Sequence, residues 1–219
     1  MTKKPAVPGV CLLAEIRQGA EWLRRIEEAL DATGAVTLVL SAPDNAAIDH
    51  AAARPLVELA QQKKVAALLV DDAATARAIG ADGVHLSWRP EIDEAYVAAR
   101  KTLGAAAIVG ADSGFSRHDA MALGEAGADY VAFGEPPAAE AETDTAEERA
   151  ELVTWWAEIF VVPVVAFGAN GLDNVAQLAR AGADFIAVRL PDDTAASAPT
   201  IPAWAADLRA ALRAPADAA

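Results

Sequence analysis

Short apolar runs alternate with longer segments of helical periodicity from one end of the chain to the other. The runs fall at residues 9–14, 35–40, 65–70, 83–86, 106–110, 130–133, 164–167 and 185–190. They show little polar alternation, which is how strands read when both faces of a parallel sheet are buried. Between them, residues 21–32, 51–64, 73–79, 91–103, 117–126, 146–159, 172–181 and 203–213 carry apolar side chains at helical spacing. Strand and helix alternate through eight units of roughly 25–30 residues each, which predicts a single-domain (β/α)8 TIM barrel over residues 1–219. The last residues, 214–219, are expected to form a disordered tail.

One phrase recurs where a helix ends and a strand opens: Gly80-Ala81-Asp82, Gly127-Ala128-Asp129 and Gly182-Ala183-Asp184. Glycine takes the left-handed conformation that stops a helix, and aspartate bonds backbone amides in a tight turn. These turns lie at the N-terminal face of a barrel, where residues serve stability. Two stretches break the rhythm. Residues 135–148 form a long acidic, Pro- and Ala-rich segment after the sixth strand, and residues 191–202 precede the last helix. Segments of that length are often lids or mobile loops.

Composition narrows the function classes. Hydrophobic residues make up 54% of the 219, enough for a large interior. The formal net charge of −14 argues against nucleic acid and against anionic membranes as partners. No run approaches a membrane span, and Met1-Thr2-Lys3-Lys4-Pro5 has no apolar h-region behind it, so a cytoplasmic protein is expected. The single Cys11 excludes a disulfide framework, and its apolar surroundings predict a buried structural thiol.

In this fold chemistry sits at the C-terminal ends of the strands. That rule selects Ser41, Asp71, Asp72, Ser87, Trp88, Arg89, Asp112, Ser113, Glu135, the turn Gly168-Ala169-Asn170-Gly171, and Arg189. The glycine turn precedes a helix, where backbone amides and the helix dipole favour an anion. Arg189 would add a charged fork, so Gly168, Ala169, Asn170, Gly171 and Arg189 form the expected phosphate site. Ser41, Trp88, Arg89, Asp112, Ser113 and Glu135 are the expected pocket residues, with Trp88 placed to stack on a ring or plug the opening. Asp71 is the candidate Mg²⁺ ligand, and Asp72 is the expected helix cap. His85, inside a strand, reads as a satisfied core residue. His50 and His118 read as exposed, and no Ser-His-Asp or Cys-His spacing supports a nucleophile.

Five phrases, in order, resemble successive strands of thiamine phosphate synthases and their thiazole-tautomerase relatives. They are Val70-Asp71-Asp72, the segment from Gly80 to Leu86, that from Gly127 to Gly134, that from Val162 to Gly168, and that from Gly182 to Val188. The resemblance implies a (β/α)8 barrel that joins a hydroxymethylpyrimidine diphosphate to a thiazole phosphate, releasing pyrophosphate with Mg²⁺. A phosphorylated small molecule is the expected partner, and the chain is expected to be a monomer or homodimer.

Several positions depart from that family pattern. The Gln-x-Arg-x-Lys after strand two reads Val39-Leu40-Ser41-Ala42-Pro43, and the Asn before the Asp pair is Val70. The Gly-Gln-x-Asp after strand four, which carries a second metal ligand, reads Ser87-Trp88-Arg89-Pro90. The Ser and His after strand five fall near Asp112, Ser113 and Phe115, and the Thr-x-Thr-Lys loop reads Glu140-Ala141-Glu142-Thr143-Asp144. The Gly-Gly turn survives as Gly168-Ala169. Two functions are therefore expected: a synthase-like barrel acting on a phosphorylated heterocycle, or a catalytically degenerate barrel that binds a phosphorylated metabolite or a partner protein. An isomerase or epimerase of related architecture is a third.

Overall fold

The computed structural model describes residues 7–43, 46–134, 146–169, 171–191 and 199–213. Glu135, Asn170, the tail 214–219, and most of the segments 135–148 and 191–202 lie outside the described residues. The strands are β1 (Gly9–Glu15), β2 (Thr37–Ser41), β3 (Ala66–Val70), β4 (Gly83–Leu86), β5 (Ile108–Asp112), β6 (Tyr130–Phe133), β7 (Val164–Ala166) and β8 (Phe185–Arg189). The helices are α1 (Ala20–Thr33), α2 (His50–Gln62), α3 (Ala73–Ile79), α4 (Ile92–Leu103), α5 (Arg117–Glu125), α6 (Ala146–Ile159), α7 (Leu172–Arg180) and α8 (Ile201–Leu212). Every neighbouring strand pair is parallel, and β8 pairs with β1 to close the ring.

Two boundaries differ from the sequence expectation for identifiable reasons. β5 starts at Ile108 because Arg100 of α4 donates to the carbonyls of Gly104 (3.1 Å) and Ala107 (2.7 Å), holding that stretch as a turn. Its register then carries Asp112 as the strand's final residue. α8 starts at Ile201, with Thr200 as cap and Pro202 in the first turn, where a missing N–H costs nothing.

Alternation along the strands divides the apolar residues into two cores. Inside the ring, Cys11, Val39, Leu68, Tyr130, Ala132, Val165 and Ala187 pack together. Outside it, Leu12, Leu38, Leu69, Val84, Val109, Val131, Phe133 and Ile186 meet the helices. Trp156 of α6 is fully buried there, stacked on Phe160 at 4.0 Å, with its indole N–H donating to Val162 O at 2.7 Å. Trp155 lies edge-on to Phe160 under the guanidinium of Arg117. The tryptophan pair therefore packs on the barrel exterior.

The three repeated turns behave alike. Gly80, Gly127 and Gly182 all take positive φ (77, 88 and 93°), which stops the preceding helix. Asp82 then accepts from the amide of Ala67 (2.8 Å), Asp129 from that of Val109 (2.8 Å) and Asp184 from that of Val164 (3.0 Å). Each aspartate thus ties the start of an even-numbered strand to its odd-numbered neighbour.

Candidate functional site

The two adjacent aspartates after β3 separate their roles. Asp72 accepts from the Thr75 amide at 2.8 Å and caps α3. Asp71 has a φ of 59°, a left-handed conformation that Asp tolerates better than most residues. Its amide still donates to His85 O (3.0 Å), and its carboxylate turns over the end of β4. There Oδ1 accepts from the Ser87 amide (3.0 Å) and from Nη2 of Arg89, an ion pair. Arg89 Nε also donates to Ser87 O at 3.3 Å. Three residues picked out from the sequence, Asp71, Ser87 and Arg89, are therefore one cluster.

At the next rim position Asp112 is buried and bridges two strands. Its Oδ1 accepts from the amides of Gly114 (2.7 Å) and Gly134 (3.0 Å). Gly134 must be glycine, because a Cβ there would fall 1.6 Å from Asp112 Oδ2. Ser113 is wholly buried and donates to Ala132 O at 3.0 Å, so its hydroxyl serves the β5–β6 junction. Trp88 lies against Gly114, and its indole N–H donates to Asp119 Oδ2 at 3.1 Å. The ring thus covers the β5–α5 loop. Ser41, the last residue of β2, is half-buried and accepts from the Ile16 amide through its carbonyl (2.8 Å).

After β7, Gly168 (φ 69°) and Gly171 (φ 107°) both need glycine's freedom. Gly171 caps α7, leaving the first-turn amides of that helix without intrahelical partners. Sequence reasoning did not single out the residue that organises this turn. Arg149 of α6 is 2% exposed and donates through Nε to Gly134 O (3.2 Å) and through Nη1 to Gly168 O (3.1 Å). Its guanidinium also lies over Phe115, 5.6 Å from the ring centre. Because C=O and N–H point in opposite directions across a trans peptide, a Gly168 carbonyl held by Arg149 aims the Ala169 amide away from that arginine. One sequence signal was available. A cation near the N-terminus of an otherwise acidic helix start runs against the helix dipole. Arg189 ends β8 on the same face as the interior residue Ala187, beside Leu13, and is exposed.

Below the rim, His85 is buried, bonded through Nδ1 to Tyr130 Oη (3.0 Å) and stacked on Phe167 at 4.3 Å. Burial pushes its pKa down to about 4, against a smaller upward pull from Asp71, so the ring is neutral. Burial likewise raises the Tyr130 hydroxyl well above its usual range and pushes the Cys11 thiol up to about 12. Cys11 is thus an inert structural thiol, as expected. His50, also exposed, is bonded to Thr75 Oγ1 at 3.0 Å, and His118 is exposed.

These features define a (β/α)8 barrel whose buried Asp112 and Arg149 lie on the C-terminal rim. The chain belongs to the thiamine monophosphate synthase family, whose model matches residues 10–190. It is 37% identical over 196 residues to the thiamine-phosphate synthase of Erythrobacter litoralis, covering 87% of this chain and 85% of that one. It is 43% identical over 149 residues to that of Rhodospirillum centenum, covering 67% and 69%. Among solved structures, a thiamine phosphate pyrophosphorylase from Pyrococcus furiosus superposes with a TM-score of 0.70 at 24% identity, covering 94% of this chain and 96% of that one. A Mycobacterium tuberculosis tryptophan synthase also superposes at 0.70, with 14% identity and coverage of 95% and 93%, so these superpositions speak for the fold alone.

The family implies phosphorylated small-molecule substrates and Mg²⁺. Mg²⁺ takes near-octahedral oxygen ligands, usually with one or two carboxylates. The residues here do not fit it at Asp71. Oδ1 is engaged by a guanidinium and an amide, and the position matching the family's second carboxylate is Pro90. Among the described residues no group of three His, Cys, Asp or Glu side chains could hold a metal ion. No described helix is long and apolar enough to cross a membrane.

Proposed function

We propose that the chain is a thiamine phosphate synthase-like barrel that binds a phosphorylated heterocycle, with the phosphate seated between the glycine turn after β7 and Arg189. The observation that carries this reading is the Gly168 turn. Two glycines at positive φ open the backbone, Arg149 fixes the Gly168 carbonyl, and the helix behind presents its N-terminal amides. Arg189, inward at the end of β8, supplies the charge. Ser41 and Asp112 end their strands on the same rim, and Trp88 lies against Gly114, just after Asp112.

The test is calorimetry with thiazole phosphate and thiamine phosphate on the full chain, beside turnover of the two thiamine precursors with a cognate synthase as control. Binding of thiazole phosphate is expected, weakened roughly tenfold or more in Arg189→Ala, the loss of one charge-assisted contact. Absence of binding by either phosphate would overturn the reading. The engagement of Asp71 by Arg89 favours a second reading, a barrel that binds such a phosphate without the standard synthase step. Binding with no product, while the control turns over, selects that one; product formation removes it.

A further inference from the structure

We propose that Arg89, anchored on Asp71, is a built-in cation that receives a diphosphate oxygen at the β3–β4 rim, in the role a divalent metal would otherwise fill. The inference rests on the phosphate-binding reading above and concerns a different part of the same mouth.

Three observations lead to it. First, Arg89 is held at two points, Nη2 on the Asp71 carboxylate and Nε on the Ser87 carbonyl. Two anchors remove most of the side chain's freedom and pre-organise the planar fork, so less entropy is lost when a ligand binds. Second, among the described residues no partner occupies Nη1. That edge of the guanidinium is open, and the side chain is 41% exposed at the rim. Arginine forks match phosphate oxygens, and an ion-paired guanidinium still donates through its remaining N–H groups. Third, Asp71 holds its carboxylate there from a backbone of positive φ, an arrangement that costs free energy and persists only where its surroundings enforce it.

Electrostatics decides against a metal in the same place. Asp71 is already neutralised by Arg89, so a divalent cation approaching Oδ1 would meet a positive charge at contact distance and would have to displace it. The whole chain carries a net charge of −14, so an anionic substrate needs a local cation fixed at the mouth. His85, on β4 below, is buried and bonded to Tyr130, and does not supply that charge.

The probe is inorganic pyrophosphate, titrated calorimetrically into the full chain in EDTA and again in excess Mg²⁺, with free pyrophosphate corrected for its own Mg²⁺ complex. Wild type should bind in EDTA, and Mg²⁺ should not tighten binding. Arg89→Gln should weaken it roughly tenfold or more while leaving thiazole phosphate binding near wild type. A second measurement uses Mn²⁺ and electron paramagnetic resonance. Wild type should hold no Mn²⁺ at micromolar concentration. Pyrophosphate binding that requires Mg²⁺, indifference to Arg89→Gln, no pyrophosphate binding at all, or a micromolar Mn²⁺ site in wild type lost in Asp71→Asn would each overturn the proposal. Failure of thiazole phosphate to bind wild type would instead overturn the phosphate reading at β7 and β8.

Discussion

The two rims of the barrel spend their aspartates in opposite ways. At the N-terminal rim, Asp82, Asp129 and Asp184 make the same bond three times, each to the first amides of a neighbouring strand. They stand near water, and the glycine before each turns the chain with no strain. At the C-terminal rim no bond is repeated. Asp71 reaches Arg89 and Ser87, Asp112 is buried between two loops, and Arg149, itself buried, reaches in from a helix to hold two carbonyls, as the half-buried Arg100 does at the other rim. Burying charge is costly unless every partner is in place. The difference between the rims is therefore one of burial: Asp112 and Arg149 are enclosed at one end, and the three aspartates stand near water at the other.

The largest effect should come from Arg149. Arg149→Met removes the hydrogen bonds to Gly134 O and Gly168 O and leaves both carbonyls beside an apolar side chain. A loss of about 4 kcal/mol is expected in urea unfolding, in the range for breaking a buried charged network. Arg149→Lys should recover part of the stability but not the forked geometry. Asp112→Ala should follow, at about 3 kcal/mol, because the Gly114 and Gly134 amides lose a charged acceptor. If either change costs less than the N-terminal aspartates do, the contrast between the rims is wrong.

How far these rims could be read from the sequence follows the same division. The N-terminal turns were legible because glycine, aspartate and the strand they open lie within five residues of one another. The eight strands were legible because burial on both faces leaves a continuous apolar run. Asp72 was legible as a cap for the same local reason. Asp71 and Arg89 were each picked out, but one as a metal ligand and the other as an auxiliary cation. Their pairing depends on β3 and β4 lying side by side, 18 residues apart in sequence. Asp112 was expected in the pocket, yet one of its partners, Gly134, lies 22 residues on and has no side chain to signal it. Trp88 was expected at the mouth; its bond to Asp119 spans 31 residues. Tertiary contacts of this kind leave no spacing to read.

Between the rims, His85 gives an effect that pH can dial. Its pKa is about 4 in the folded chain, and an ordinary histidine titrates near 6.5. Between those values the unfolded chain binds the extra proton and the folded chain does not. Stability from this group is therefore complete above pH 6.5 and is lost as pH falls toward 4, with a slope of at most about 1.4 kcal/mol per pH unit. His85→Gln, which can still bond Tyr130, should flatten the curve. The gap between wild type and variant should change by about 2 kcal/mol from pH 7 to pH 4.5. A constant gap would mean that His85 is charged or solvated in the folded protein.

The smallest effect belongs to the regular rim and gives the sharpest form of the comparison. Asp129→Asn and Asp184→Asn keep a side-chain acceptor for the Val109 and Val164 amides and lose only its charge. Asp129 also loses the charge it sets against Arg100 at 2.5 Å, a pair that is partly open to water. Each change should cost about 1 kcal/mol. The two sit on different strand pairs and share no partner, so the double variant should cost their sum to within about 0.5 kcal/mol. Thiazole phosphate affinity should stay unchanged, because these groups act at the far end of the barrel from the rim that carries Arg149. A loss of affinity matching the loss of stability would mean that the two ends are coupled through the strands. The N-terminal turns would then position the site as well as close the ring.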